Sequence, residues 1–216
     1  MVAKSSALKD ILNVIVKQIK QESPLSLCSV LLFDKANQCL KLGAAPDLPD
    51  FYNNAIDGIK IGVNVGSCGT AAHLGERVIV DNIPTHRYWK NFTQLARKAD
   101  VAACWSDPIM SSNGDLLGTF AIYKRCPSSP TDKDFEIINF ASNLASIAIE
   151  NFRAQEELER RAHFDYLTGL ANRRQFFEQC EIILNQSTQA DLLLAIIMVD
   201  VDHFKQVNDD YGHKSG

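Results

Sequence analysis

The first twenty residues of the chain have the apolar spacing of a helix. Apolar residues recur at intervals of three and four positions, and they are Leu8, Ile11, Leu12, Ile15, Val16 and Ile19. This spacing predicts a helix with one apolar face. Ser5 or Ser6 can cap its start, and the pair Ser23-Pro24 ends it.

Short β-type segments follow. Residues 28–33 and 39–44 predict one hairpin. Residues 102–109 and 116–123 predict a second, because the intervening turn SSNGD contains the Asn-Gly pair that favours tight hairpins. The segments between the hairpins predict short helices at 50–56, 70–74 and 93–98 and extended chain at 59–63 and 77–80.

A long helix follows from residue 131, where Thr131 and Asp134 resemble a capping box. One apolar stripe comprises Phe135, Ile138, Ala141, Ala145, Ala148 and Phe152, and beside it lie Ile137, Phe140, Leu144, Ile147 and Asn151. The next residues, AQEELERRAHF, are mostly charged, with Leu158 as the large apolar residue before Phe164. That composition predicts a solvated connector or a weak coiled coil. We therefore divide the chain into a domain at 1–152, a helical linker at 153–164 and a second domain at 165–216.

Composition narrows the function. A net charge of −4 and a pI near 5.7 give no electrostatic reason to expect nucleic acid as a partner. The longest apolar run, residues 192–199, is too short to span a bilayer. Six scattered cysteines without a C-x-x-C pair argue against zinc and disulfide frameworks and fit a reducing compartment. We expect a cytoplasmic protein with neither nucleic acid nor membrane as a partner.

Two motifs near the C-terminus carry the most specific signal. Residues 165–174 read DYLTGLANRR, and residues 200–216 read DVDHFKQVNDDYGHKSG after an apolar run. In the first motif, Thr168-Gly169 predicts a turn and Asn172 predicts a cap on a helix that begins at Arg173. The apolar run before the second motif predicts a strand buried on both faces. Carboxylates at its end, Asp200 and Asp202, need a cation if a triphosphate binds there, which indicates Mg²⁺.

Both motifs resemble the start of a GGDEF domain, the diguanylate cyclase fold. The resemblance implies that Asp200 and the Val201 carbonyl bind Mg²⁺, and it implies binding of GTP by four further residues: Phe204, Lys205, Asn208 and His213. It also implies condensation of two GTP molecules into cyclic di-GMP by a dimer. The 216 residues stop before the GG[DE]EF loop, so they contain no catalytic carboxylate of that loop. We expect this chain to be inactive by itself and to be part of a longer gene product.

The first domain resembles a GAF domain in four segments, which are GSCGTAA (66–72), VIVDNI (78–83), CWSDPI (104–109) and LLGTFAIY (116–123). The resemblance implies an α+β fold: an antiparallel sheet flanked by helices, a lidded pocket, and a long C-terminal helix leading to the truncated GGDEF α/β fragment. Candidate pocket residues are Cys68, His73, Trp89, Cys104 and Trp105. Packing in the core is the alternative for the two cysteines and the two tryptophans. For His73 the alternative is a hydrogen-bonded core or surface residue. The small-molecule ligand, if there is one, is not identified by the sequence.

Our leading hypothesis is a sensory module that forms a homodimer through its GAF and linker helices and regulates a diguanylate cyclase. One alternative is a ligand-binding or dimerisation module with a degenerate GGDEF output. Another is a GAF-type free-methionine-sulfoxide reductase that uses Cys68 and Cys104.

Overall fold

The computed structural model describes residues 2–190, 193, 195–200, 202, 203, 205 and 209. The chain forms two compact units, Met1–Glu157 and Leu158–Gly216.

The first unit combines a six-stranded sheet with helices, which confirms the predicted α+β class. Its strands are β1 (Leu27–Asp34), β2 (Cys39–Ala44), β3 (Ile59–Lys60), β4 (Val78–Val80), β5 (Ala103–Met110) and β6 (Leu116–Lys124). Its helices are α1 (Val2–Glu22), α2 (Asp50–Ile56), α3 (Gly66–Leu74), α4 (Thr93–Lys98) and most of α5 (Asp132–His163), with short 3₁₀ turns at Ile83–Thr85 and Arg87–Trp89. Both predicted hairpins are present.

The strands pair antiparallel in the order β3-β2-β1-β6-β5-β4. The central β1–β6 pair depends on Gly118, which lies opposite Leu32. A Cβ atom on Gly118 would lie 2.1 Å from the carbonyl oxygen of Leu31. Only glycine therefore allows these two strands to approach each other as they do.

The sheet has an apolar core on each face. Helices α1 and α5 contribute to one core, together with alternate residues of the central strands. Helices α2, α3 and α4 contribute to the other core, which contains the opposite set of strand residues. This division follows from the two-residue period of side chains along a strand.

Two predicted apolar faces need correction. In α1, Ile11 is 44% exposed, while the other five members of the predicted face are buried. In α5, the residues packed on the sheet are Ile137, Ile138, Ala141, Ala145 and Ile149, whereas Phe140 and Ile147 are 58% and 56% exposed. The reason is that α5 is apolar over more of its circumference than one sheet can cover, so spacing alone left the packed face ambiguous.

The predicted capping box at the start of α5 is confirmed. The Asp134 carboxylate accepts hydrogen bonds from the Thr131 amide (2.9 Å) and hydroxyl (2.6 Å), and the Asp134 amide donates to the Thr131 hydroxyl (3.3 Å). Lys124 Nζ lies 3.4 Å from the same carboxylate. The shorter aspartate thus replaces the usual glutamate and also ties α5 to the end of β6.

The second unit begins in the last turns of α5 and contains α6 (Arg173–Ala190). Asp165 Oδ1 accepts hydrogen bonds from the amide and hydroxyl of Thr168, both at 2.9 Å, and Gly169 follows in the left-handed region at φ 69°. Asn172 Oδ1 accepts from the Gln175 amide at 3.0 Å. The predicted turn and the predicted Asn172 cap are therefore both confirmed.

The strand predicted at 192–199 is wrong for the residues that the structure describes. Residues 193 and 195–199 lie in no strand, and four of them, Leu193, Ile197, Met198 and Val199, are more than 80% exposed. A strand can be buried on both faces only when other strands pair with its edges. No strand pairs with this segment within the described part of the chain.

Candidate functional site

A small cavity lies between the sheet and helices α2, α3 and α4. It is lined by Leu31, Tyr52, Ile56, Ile59, Val65, Gly66, Ser67, Cys68, Gly69, Trp89, Phe92, Leu95 and Tyr123. Its volume is about 30 Å³, so it holds one or two water-sized molecules. Most of the lining side chains are aromatic or aliphatic. Polar side-chain atoms are contributed by Ser67 and Cys68 of α3 and by the hydroxyls of Tyr52 and Tyr123.

The start of helix α3 lines one side of the cavity. Gly66 begins this helix with a φ of 59°, a conformation that side chains disfavour. The next residue, Ser67, donates a hydrogen bond to the Cys104 carbonyl at 3.1 Å, which fastens α3 to β5. Trp89 Nε1 donates in turn to Ser67 Oγ at 2.9 Å. The indole of Trp89 is thereby fixed across the cavity.

Two tyrosines, Tyr52 and Tyr123, also line the cavity. Tyr123 Oη lies 3.1 Å from Ser29 Oγ and 3.6 Å from Cys68 Sγ. The rings of Tyr52 and Tyr123 meet edge to face, with centroids 6.0 Å apart. Burial raises the pKa of both tyrosines well above the ordinary value, so both hydroxyls stay protonated near neutral pH.

The pKa values of the two cysteines of this region, Cys68 and Cys104, are shifted in opposite directions. A hydrogen bond with the Cys104 thiol lowers the pKa of Cys68; burial opposes this, and hydroxyls of neighbouring residues add to the lowering. Burial is the main reason that the pKa of Cys104 is raised well above its ordinary value. Cys68 is therefore the thiol of the pair that more readily loses its proton.

The structure brings three of the five predicted pocket residues together. Cys68 and Trp89 line the cavity, and Cys104 lies next to Cys68 in the same core. The other two predictions are wrong. Trp105 lies in the opposite core, because it follows Cys104 on a strand, and His73 is exposed on α3.

Sequence reasoning missed Ser67, Tyr52 and Tyr123. Tyr123 ends an apolar run, and that pattern predicts a buried strand without indicating any role for the tyrosine hydroxyl. The alternation of residues along β5 and β6 could have placed Tyr123 on the same face as Cys104, since the two are register partners.

The predicted nucleotide and metal residues lie in the second unit. Asp200 and Lys205 are exposed, and Val201, Phe204, Asn208 and His213 lie outside the described residues. Within the described part of the chain, no three His, Cys, Asp or Glu side chains converge as metal ligands. A search of the described residues also found no helix with the length and apolarity to cross a membrane.

Comparison with known families decides the assignment of the first unit. The sequence pattern of the GAF domain matches residues 5–150. The chain belongs to the GAF domain family. The pattern of the diguanylate cyclase GGDEF domain matches residues 162–216. The chain thus joins a GAF sensor domain to a GGDEF fragment, and the resemblance found in the sequence is confirmed.

Individual proteins agree with this assignment. A methyl sulfide methyltransferase-associated sensor of Methanosarcina acetivorans is 39% identical over 158 residues, which cover 73% of this chain and 16% of the sensor. Diguanylate cyclase DgcM of Escherichia coli K12 is 42% identical over 67 residues, which cover 31% of this chain and 16% of the cyclase. The chain thus spans about a sixth of the length of either relative.

A solved structure shows the same fold. The GAF domain of a phosphoenolpyruvate-protein phosphotransferase from Coxiella burnetii is similar with a TM-score of 0.59 at 21% identity. The match covers 69% of this chain and 86% of that domain.

Proposed function

We propose that the GAF domain senses a small molecule and, as a homodimer, regulates the synthesis of cyclic di-GMP from GTP. The observation that carries this proposal is the continuity of α5. This helix packs on the GAF sheet through Ile138 and Ala145 and runs on to His163, and the GGDEF match begins at residue 162. A rigid helix transmits displacement or rotation, whereas a flexible tether would not.

The input requires the cavity to open. A volume of about 30 Å³ excludes any ligand of ordinary metabolite size. Such a ligand would have to displace the wall formed by Trp89, Phe92 and Leu95 and break the hydrogen bond between Trp89 and Ser67. Ligand binding would thereby act directly on α3, the helix that Ser67 holds against β5.

The route from α3 to α5 passes through Arg77, three residues beyond the end of α3. Its guanidinium donates to both carboxylate oxygens of Asp107 on β5, at 2.6 and 2.7 Å, and to Asn139 Oδ1 on α5 at 2.5 Å. The guanidinium also lies 5.1 Å from the ring centroid of Phe135 on α5. Arg77 thus links β5 to α5, and Ser67 links α3 to β5. A shift of α3 would therefore reach α5 through β5 and Arg77.

The exposed face of α5 supports dimerisation. A seam of alternating spacings of four and three runs along this helix and comprises Phe140, Leu144, Ile147, Asn151, Ala154 and Leu158. Phe140, Ile147 and Leu158 on this seam are 58%, 56% and 68% exposed. This is the a/d pattern of a two-stranded coiled coil, and Asn151 falls at an a position, where asparagine specifies register in parallel dimers.

In this proposal the GGDEF domain binds Mg²⁺ and GTP. The Asp200 carboxylate and the Val201 carbonyl are oxygen donors, the ligand type that Mg²⁺ takes. Bound there, Mg²⁺ would neutralise triphosphate charge, and Lys205 would add a positive charge beside the phosphates.

The sulfoxide reductase is a third hypothesis. Its substrate, an amino acid, would likewise have to open the cavity to reach Cys68 or Cys104, so an assay of methionine sulfoxide reduction is needed to test it. A degenerate output domain remains the second hypothesis, and an assay of product formation separates it from the first.

The test uses the full-length protein with the seam variant Ile147→Glu and the control Arg153→Glu, which adds negative charge to α5 outside the seam. Analytical ultracentrifugation should show dimerisation at least about tenfold weaker in the seam variant, equivalent to about 1.4 kcal/mol. Cyclic di-GMP formation at a concentration where the wild type is dimeric should fall with it. Unchanged dimerisation of Ile147→Glu would contradict the role of the seam.

A further inference from the structure

Cys68 lines the cavity, and Cys104 belongs to the same apolar core. Cys68 Sγ lies 3.6 Å from Tyr123 Oη, and Tyr123 is the register partner of Cys104 on the adjacent strand. The residue before Cys68, Ser67, is hydrogen-bonded to the Cys104 carbonyl at 3.1 Å. Both cysteines belong to the same apolar core, so these contacts hold Cys68 next to Cys104.

The Tyr123 hydroxyl lies 3.6 Å from the Cys68 sulfur. Hydrogen bonding with the Cys104 thiol is the main reason that the pKa of Cys68 is lowered. Donors of this kind stabilise a thiolate, and the thiolate is the nucleophilic form of cysteine.

Access distinguishes the two thiols. Cys68 lines the cavity and is 9% exposed, whereas Cys104 is 0% exposed behind it. The cavity of about 30 Å³ admits a molecule of the size of water or hydrogen peroxide and excludes larger reagents. The site is therefore selective for a very small reactant that reaches Cys68 first.

We propose that Cys68 and Cys104 are an oxidation site for hydrogen peroxide, in which Cys68 is the attacking thiol and Cys104 resolves its product to an internal disulfide. In the first step the Cys68 sulfur attacks one peroxide oxygen, an S–O bond forms and the O–O bond breaks. The sulfur is oxidised by two electrons to a sulfenic acid, and the thiol proton leaves with the other oxygen as water. In the second step the Cys104 sulfur displaces the sulfenic hydroxyl, which takes the Cys104 proton and leaves as a second water.

Neighbouring cysteines provide internal controls. Cys28 is buried on the opposite face of the sheet, and burial raises its pKa to about 12. Cys126 is exposed at the surface, so its rate of oxidation shows how fast an accessible thiol of this chain reacts with peroxide. The oxidation site does not depend on the proposed cyclase output, because its chemistry takes place wholly within the GAF domain.

The experiment treats the folded, reduced chain with hydrogen peroxide and follows each cysteine by peptide mass spectrometry after blocking free thiols. We expect Cys68 to react at least about tenfold faster than Cys126, with loss of two hydrogens and a Cys68–Cys104 cross-linked peptide. Bulky alkylating reagents should show the reverse order, Cys126 before Cys68. The variant Cys104→Ser should accumulate a sulfenic acid on Cys68 that a dimedone probe traps.

The control Cys28→Ser should form the cross-link at the wild-type rate. Two outcomes would overturn the proposal: oxidation of Cys126 ahead of Cys68, or a Cys68 product in the wild-type chain without any bond to Cys104. Both are read from the wild-type protein, so the test survives even if a cysteine variant fails to fold.

Discussion

Replacing Arg77 with alanine is expected to destabilise the GAF domain far more than an ion pair of equal length at the surface. Arg77 Nε lies 2.6 Å from Asp107 Oδ1, and the side chains of the pair are 28% and 13% exposed. Arg125 Nη1 lies at the same 2.6 Å from Asp100 Oδ2, but these side chains are 55% and 70% exposed. The two pairs differ in burial, and Arg77 in addition contacts Asn139 and Phe135.

The expected magnitude follows from what each substitution leaves behind. Removing one partner of a fully buried pair costs about 3–5 kcal/mol, because the other charge stays buried without compensation. Because the Arg77 side chain is 28% exposed, the expected cost is smaller, about 2–3 kcal/mol. The exposed pair should contribute about 0–1 kcal/mol.

Urea unfolding of Arg77→Ala, with Arg125→Ala as the matched control, measures both values as free energies of unfolding. Adding Asp107→Ala and the double variant completes a cycle whose coupling energy should exceed about 1 kcal/mol. Destabilisation of Arg77→Ala by less than about 0.5 kcal/mol, or equal costs for the two arginines, would refute this reasoning.

Two further variants test local features of the fold. Gly118→Ala should cost at least about 3 kcal/mol or prevent folding, because its Cβ would lie 2.1 Å from the Leu31 carbonyl oxygen; a wild-type urea midpoint would contradict this. Burial raises the pKa of Asp134, but hydrogen bonds from Thr131 and the charge of Lys124 outweigh this and leave the pKa below the ordinary value of 3.8. Its contribution to stability is therefore present above pH 3.8 and lost as pH falls through the lower, folded-state pKa. Asp134→Asn should lose stability near neutral pH and little at pH about 2, and an equal loss at both would contradict the assignment.

Local patterns in the sequence predicted most of the helices, strands and turns that the structure describes. The Asn-Gly turn, the Thr131 and Asp134 pair and the Asn172 cap each work through neighbouring residues, and all three appear in the structure. Such signals need no knowledge of tertiary contacts, which is why the sequence sufficed.

Tertiary contacts account for what the sequence did not predict. Trp105 was assigned to the pocket together with its neighbour Cys104, but strand alternation sends the two side chains to opposite faces. Residues 192–199 were assigned to a buried strand on hydrophobicity, which does not supply the pairing partners that such a strand needs. The small volume of the cavity depends on how Trp89 packs, and spacing contains no information on that.

The most direct test of the central claim measures cyclic di-GMP made from GTP and Mg²⁺ by the full-length protein, comparing wild type with Arg77→Ala and Arg125→Ala. We predict product from the wild type, an altered rate in Arg77→Ala at a temperature where that variant is folded and dimeric, and the wild-type rate in Arg125→Ala. No product from the folded, dimeric wild type, or equal rates in all three proteins, would contradict the claim that the GAF domain regulates a cyclase through α5.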